Sequence, residues 1–237
     1  MSIQLLITAA GTSELFFASG FEAPKNMIEV SGEKIIDRVL KNYTRYSAET
    51  TVIIQESEAQ TFGTDKYLNS AYSDIGVRII KDQSKGALCS ALMALDPLAM
   101  DKELIIVPGD SFTDLDIQVA IEYFRSKNAT AGTIVFPSKS PRWSYVRLLQ
   151  DGRITEIAEK RVISDWATTG FFYFKQSMAF FEGAKWALMN QAGHKGQYYV
   201  SHSLQRLLAL QEPVYAFQLK SESSYHNFST PVDLLKR

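Results

Sequence analysis

The chain has 237 residues, of which 46% are hydrophobic and 22% charged, and its formal net charge is −1. That is an ordinary soluble globular composition, long enough for one large α/β domain or two small ones. Lys and Arg are scattered, which argues against nucleic acid or an anionic membrane as the main partner, since both need a basic face.

The amino terminus is apolar but short, with no Lys or Arg ahead of it, so a signal peptide is not expected. No stretch approaches the length needed to span a bilayer, and a cytoplasmic protein is expected. Residues 3–8 form an apolar run bounded by small residues and Gly11, which reads as a buried strand. The loop after it leads to Pro24-Lys25. The spacing of 34–40 suits an amphipathic helix, 51–54 and 77–80 read as strands, and 58–72 reads as helical with a break at Gly63. Residues 87–95 form an Ala- and Leu-rich helix with Pro97 as its stop signal. It contains the lone cysteine, Cys89, read as a core thiol; one cysteine excludes a disulfide framework and a thiolate zinc site. The continuous apolar run 104–107 ends at Pro108-Gly109-Asp110. A helix over 117–124 and a strand over 131–136 follow. Strands separated by helix-length segments imply right-handed crossovers and a mostly parallel sheet.

The second half changes character. Residues 143–149 and 154–158 flank Asp151-Gly152 as a hairpin, and 171–174 form an aromatic strand. Helices over 178–189 and 201–210 precede a late strand over 214–219. With no linker-like tract or internal repeat, residues 1–237 are expected to form a single domain.

Several positions can carry chemistry. In open α/β sheets, the loop past the carboxyl end of the first strand is where phosphate ligands sit. Asp110, at a strand's carboxyl end with Asp114 and Asp116 after it, suits Mg²⁺, which takes one or two carboxylates plus substrate phosphates; it equally suits a turn after Pro-Gly. Lys25 and Lys160 are either approach-restricted cations or solvated loop lysines. Ser84-Lys85-Gly86-Ala87 opens a helix whose free donors can meet a phosphate or a base edge. Asn227 offers an amide oxygen to a metal, or ends a turn. The aromatics Phe16-Phe17 and 171–174 read as core. His194, His202 and His226 lack metal-ligand spacing, and neither a nucleophile elbow nor a Walker loop is present.

Taken together, Thr8-Ala9-Ala10-Gly11, Ala18-Ser19-Gly20-Phe21, Pro24-Lys25 and Ile28-Glu29-Val30-Ser31-Gly32 resemble the amino-terminal signature of the sugar-phosphate nucleotidyltransferases, of the type found in capsular polysaccharide biosynthesis. Gly86-Ala87-Leu88-Cys89-Ser90-Ala91 is similar to that family's nucleotide-binding helix start. Trp143-Ser144-Tyr145 through Glu156-Ile157-Ala158-Glu159-Lys160 is similar to its sugar-phosphate segment. Ala167-Thr168-Thr169-Gly170 and 228–234 match its later landmarks, so the likeness runs almost end to end in order. It implies a Rossmann-like α/β fold of the nucleotide-diphospho-sugar transferase kind, with a mixed, mostly parallel sheet flanked by helices. It implies attack by a sugar phosphate or phosphorylated small alcohol on the α-phosphorus of an NTP, with Mg²⁺ and loss of pyrophosphate. In that scheme Lys25, Asp110 and Lys160 are catalytic, and Asp110 and Asn227 hold the metal. Ala10, Gly11 and Gly86 line the nucleotide, with Glu159 and Gly170 near the acceptor. CTP, UTP or dTTP is the expected nucleotide, and a homo-oligomer is possible by analogy.

The phosphate loop departs from the family's pattern. It reads Gly11-Thr12-Ser13-Glu14-Leu15-Phe16, with Ser13 at the second glycine, Leu15 at the arginine and an added negative charge on Glu14. Asn227 stands where many members carry a second metal aspartate, and Asn26 replaces a proline. Lys85, Lys34 and Arg142 are candidate replacement cations. Two further readings therefore stand beside an active transferase: a relative that binds without turnover, and a glycosyltransferase using Asp110 with Asp114 or Asp116.

Overall fold

The computed structural model describes residues 3–47, 49–81, 84–96 and 99–235. The expected stop at Pro97 lies outside the described residues. Strand β1 (Ile3–Thr8) is followed by a short helix α1 (Glu14–Ala18), a ribbon of β2 (Glu29–Val30) and β3 (Glu33–Lys34), and helix α2 (Ile35–Tyr43). Next come β4 (Glu49–Gln55), α3 (Glu56–Phe62), α4 (Thr64–Ala71), β5 (Ile75–Ile80) and α5 (Ala87–Ala94). The break between α3 and α4 falls at Gly63, whose φ of +64° ends one helix in the left-handed region that glycine adopts without a Cβ penalty.

The chain continues through β6 (Glu103–Pro108), β7 (Ser111–Thr113), α6 (Ile117–Ser126) and β8 (Ala131–Pro137). The hairpin β9 (Ser144–Leu148) and β10 (Ile154–Glu159) leads to β11 (Trp166–Phe174). Then follow α7 (Ser177–Met189), α8 (Ser203–Ala209), β12 (Val214–Gln218), β13 (Tyr225–Asn227) and α9 (Pro231–Leu234).

The main sheet is mixed. Its path is β10-β9-β11-β6-β1-β4-β5, with β8 and β12 branching from β11. The stretch β6-β1-β4-β5 is parallel throughout, and β8 and β12 also pair in parallel, whereas β11 runs antiparallel to β6, β8 and β9.

Both faces are covered, which is why the central strands read as unbroken apolar runs. Successive side chains of a strand point to opposite faces. Thus Leu5, Ile7, Ile105 and Val107 join one core, with Ile36, Val39 and Leu40 of α2 and Ile121 and Phe124 of α6. Leu6, Leu104 and Ile106 join the other, with Leu88 and Ala91 of α5, Phe180 and Ala184 of α7, and Leu204 of α8. Cys89 sits half-buried at the edge of this second core, and burial pushes its thiol pKa up. Phe171, Phe172, Tyr173 and Phe174 are core, as expected. The Phe16-Phe17 pair divides: Phe16 is buried, but Phe17 is 41% exposed and stacks on Phe62 at the surface.

Strand β11 positions the site. Along one edge, Ala167 pairs with Tyr145 of β9, while Phe172 to Phe174 pair with Ile106 to Leu104 of β6. Between them lies a bulge, where the register against β8 shifts between Thr168 and Phe172. One strand therefore serves two neighbours in turn, and the fork between β6 and β9 opens past the carboxyl ends of the parallel strands. Among the described residues, no helix is long and apolar enough to cross a membrane.

Candidate active site

A cavity of about 580 Å³ fills that fork. Its floor is the backbone where β1 and β6 stop. The Gly109 amide donates to the Thr8 carbonyl at 3.0 Å, and the Ala9 amide to the Ile53 carbonyl at 2.9 Å. Two amide side chains hold the next carbonyls: Asn26 Nδ2 donates to Ala9 at 2.8 Å, and Gln55 Nε2 to Ala10 at 2.9 Å. Asn26, where the family pattern has proline, thus pins the loop to the strand end and is itself buried. The nine residues to which the family resemblance gives site roles, namely Ala10, Gly11, Lys25, Gly86, Asp110, Glu159, Lys160, Gly170 and Asn227, line this one cavity.

On the nucleotide side, Pro24 precedes a 3₁₀ turn over Lys25–Met27. Ser13 Oγ accepts the Lys25 amide at 3.0 Å, so the residue in place of the second glycine anchors the lysine's backbone. Lys25 Nζ lies 2.5 Å from Asp110 Oδ2, with both side chains nearly buried. A Cβ on Gly11 would stand 3.0 Å from that ammonium. A side chain on Gly11 would press on the lysine's ammonium end. Behind the lysine, burial pushes the Glu58 carboxyl up to about 7 against the pull of the Lys25 charge, and its Oε2 accepts no hydrogen bond. Glu14 is exposed and does not line the cavity, whereas Leu15 does and is 62% exposed.

Gly86 caps α5 with φ +108° and ψ 171°, a region closed to other residues. A Cβ there would meet the Tyr198 carbonyl at 2.4 Å, and that carbonyl accepts the Leu88 amide at 3.1 Å. Its glycine is required by the packing of the 197–199 segment onto the helix start, whatever nucleotide comes near.

On the acceptor side, Gly170 sits in the β11 bulge with φ +84°, and its Cβ would lie 2.6 Å from Pro108 Cγ. Glu159 Oε2 accepts from Ser144 Oγ and, at 2.8 Å, from Ser201 Oγ. Lys160 has φ +51°, unusual for a residue with a side chain. Its amide donates to the Trp143 carbonyl at 3.0 Å, and its Nζ lies 4.9 Å from the Tyr199 ring centre. His202 accepts the Tyr199 amide through Nδ1 at 3.0 Å, and burial lowers its pKa to about 4, so it is a neutral structural group. Ser144 lies within the segment that resembles the family's sugar-phosphate stretch, whereas Tyr199 and Ser201 lie outside every resembling segment and carry no motif that a sequence reading could have found.

The chain's last strand completes the wall. β13 pairs with β7, setting Asn227 opposite Ser111, and the Phe228 amide donates to the Asp110 carbonyl at 2.9 Å. The Asn227 amide oxygen, expected to face a metal, is already taken. It accepts from the Ser229 amide at 3.2 Å, Ser229 Oγ at 2.7 Å and Arg142 Nη2 at 3.0 Å. A guanidinium at that distance repels a divalent cation, so Asn227 is a poor partner for Asp110 in this geometry. Asp110 is the carboxylate on this wall for Mg²⁺, but Lys25 Nζ already lies 2.5 Å from its Oδ2, so a metal ion would share this carboxylate with the ammonium and take its remaining positions from water and phosphates. Among the described residues, no group of three His, Cys, Asp or Glu is arranged to hold a metal.

Asp114 and Asp116 are drawn elsewhere. Asp114 pairs with His226 at 2.6 Å, Asp116 caps α6 through the Gln118 amide, and neither lines the cavity. A glycosyltransferase metal motif built on them with Asp110 is thereby removed. Of the candidate replacement cations, Lys34 pairs with Glu29 at 3.6 Å and lies over the Tyr67 ring. Neither Lys34 nor Lys85 lines the cavity. Arg142 does, and among the described residues it joins Lys25 and Lys160 as the cavity's cationic side chains.

Known proteins share this architecture. A nucleoside-diphosphate-sugar pyrophosphorylase of Vibrio cholerae RC9 superposes with a TM-score of 0.79 at 17% identity, covering 99% of this chain and 100% of that one. The inositol-1-phosphate CTP transferase of T. maritima gives a TM-score of 0.73 at 14% identity, over 97% of this chain and 90% of that one. In sequence, the chain is 21% identical over 211 residues to a UTP–glucose-1-phosphate uridylyltransferase of Haloferax volcanii, covering 87% of this chain and 84% of the relative. Residues 6–223 match the family model for nucleotidyl transferases. The chain belongs to the nucleotidyl transferase family.

Proposed function

We propose that this protein joins an NTP to the phosphate of a phosphorylated sugar or small alcohol and releases pyrophosphate. The observation that carries this reading is the convergence of Lys25, Asp110, Glu159 and Lys160 on one cavity at the fork between β6 and β9, in a chain of this family. The nucleophile is an acceptor phosphate oxygen. It forms a bond to the α-phosphorus as the bond to the bridging α–β oxygen breaks, and that electron pair leaves with pyrophosphate. No proton need move, so no general base is required, in keeping with a cavity lined, among the described residues, by no histidine. Catalysis rests on positioning and on offsetting crowded negative charge. Lys25 faces the triphosphate, Lys160 the acceptor phosphate, and Glu159, braced by two serine hydroxyls, the acceptor's hydroxyl groups. Asp110 is the residue that would hold Mg²⁺, whose contribution when bound is to neutralise phosphate charge.

CTP, UTP or dTTP is the proposed nucleotide, the uridylyltransferase relative lending weight to UTP. The proposed setting is cytoplasmic synthesis of precursors for surface polysaccharide, by one domain over residues 1–237. A panel of NTPs against sugar 1-phosphates and phospho-alcohols tests this: Mg²⁺-dependent pyrophosphate release is expected for one pair. Neither turnover nor NTP binding by calorimetry across the panel overturns it.

Leu15 favours a second reading, a relative that binds a phosphorylated ligand without turnover. An apolar side chain faces the cavity where the family pattern places an arginine. A cation on a transferring phosphoryl group is worth on the order of 10³–10⁵ in rate in other systems. Under this reading Leu15→Arg confers nucleotide binding on an otherwise silent protein.

A further inference from the structure

The two residues expected to hold a metal are each already paired with a cationic side chain. Lys25 Nζ stands 2.5 Å from Asp110 Oδ2, with the two side chains 12% and 10% exposed. Arg142 Nη2 stands 3.0 Å from Asn227 Oδ1, which also accepts the Ser229 amide and hydroxyl. The two pairings differ in how firmly they are held. An amide oxygen has two lone pairs, so three donors saturate Asn227. Arg142 is locked there, because Asp233 grips both ends of its guanidinium at 2.8 Å, and the Thr230 amide and hydroxyl fix Asp233. Lys25 is anchored only through its backbone, by Ser13. Its ammonium is a compact charge on a flexible stem, and among the described residues Asp110 is its one hydrogen-bonded partner. A dication arriving alone would share that carboxylate with the ammonium, and the repulsion between them offsets much of the attraction a single carboxylate offers.

We infer that Lys25 is a gate on metal binding: it guards Asp110 against a free divalent cation, and a polyphosphate chain opens the gate by giving the ammonium another anion to pair with. The phosphate ligand is taken from the nucleotidyltransferase reading, on which the inference rests; the pairing on Asp110 is the chain's own. Metal ion and polyphosphate therefore bind together, each raising the affinity for the other by the same factor. Part of that factor belongs to Lys25 and disappears with its charge. Asn227 contributes nothing to it, since Arg142 stays on its oxygen.

Retention of Mn²⁺ by the protein on ultrafiltration, with and without inorganic tripolyphosphate, reads the gate. Wild type holds Mn²⁺ at least about tenfold more tightly with tripolyphosphate than without it. Lys25→Met, which removes the charge and keeps the stem, holds Mn²⁺ alone at least about tenfold more tightly than wild type, and the factor added by tripolyphosphate shrinks. Adding Asp110→Asn to Lys25→Met abolishes that gain, which assigns the ion to this carboxylate. Thermal melts identify a variant that fails to fold; Lys25→Gln then stands in for Lys25→Met, and the wild-type ratio decides if both fail. Three results each overturn the inference: equal retention of Mn²⁺ by wild type with and without tripolyphosphate, an affinity of Lys25→Met for Mn²⁺ alone no tighter than that of wild type, or a gain that survives Asp110→Asn. Pyrophosphate release by wild type on the NTP panel is scored separately. The expected Mn²⁺ pattern without turnover on any pair sinks the activity and spares the gate; turnover with equal Mn²⁺ retention does the reverse.

Discussion

Replacing Glu58 by Gln tests the electrostatics behind Lys25. Glu58 is 5% exposed, its Oε2 has no hydrogen-bond partner, and burial moves its carboxyl from an ordinary 4.5 to about 7. Between those values the folded protein holds a proton that the unfolded chain has released, so stability falls as pH rises through this window. At 1.36 kcal/mol for each pH unit separating the two values, the ionised carboxylate costs about 3 kcal/mol above pH 7, and nothing below pH 4.5. Glutamine has no proton to lose. Urea unfolding of wild type and Glu58→Gln at pH 4.5, 6, 7 and 8 should give a stability difference that shifts by about 3 kcal/mol in favour of the variant across the series. Because Lys25 opposes the effect of burial, Lys25→Met should carry the loss of stability to higher pH and enlarge its total, at the same limiting slope. Parallel stability curves for wild type and Glu58→Gln would refute the reasoning, and would mean that Glu58 is solvated or paired in solution.

Arg125→Ala should cost about 3–5 kcal/mol in denaturant unfolding, because it strips the guanidinium from Glu103, a carboxylate only 2% exposed and otherwise bonded to the Tyr173 hydroxyl. Gly86→Ala should lose at least about 3 kcal/mol by the same measurement, combining a φ closed to alanine with a clash against the Tyr198 backbone; a near-neutral effect would mean that the 197–199 segment is not packed there. Asp110→Asn should abolish pyrophosphate release; turnover like that of wild type removes Asp110 from the site.

The long elements were legible because their residues carry a period. Runs such as Leu104-Ile105-Ile106-Val107 are closed by Pro-Gly, and the break at Gly63 falls between two helices as expected. The ribbon of β2 and β3, strands β7 and β13, and helix α1 were not legible: two to five residues show no period, and long-range pairing rather than local propensity fixes the strands. The aromatic run marks only residues 171–174 as strand, whereas β11 begins at Trp166 and takes Thr168-Thr169-Gly170 into a bulge. At the site, residue identities were legible through resemblance, but reasons were not. Ser13 reads as a lost glycine and is a hydroxyl anchoring Lys25. Gly11, Gly86 and Gly170 read as room for a ligand, yet each is hemmed by a protein atom, Lys25 Nζ, the Tyr198 carbonyl and Pro108 Cγ. That Arg142 takes the Asn227 oxygen depends on a return of the chain from 85 residues away, which no local pattern carries.

That return has a consequence for synthesis. The cavity wall beside Asp110 is built only when β13 lies against β7, across more than a hundred residues of chain. At about 5–20 residues per second on the ribosome, roughly 6–23 s pass between the emergence of Ser111–Thr113 and that of Tyr225–Asn227. Throughout that interval the growing chain presents Lys25 and Asp110 without Arg142's partners, Asn227, Ser229 and Asp233. The nascent protein therefore has half a pocket, and its wall is closed only once residues 225–233 have emerged, late and all at once.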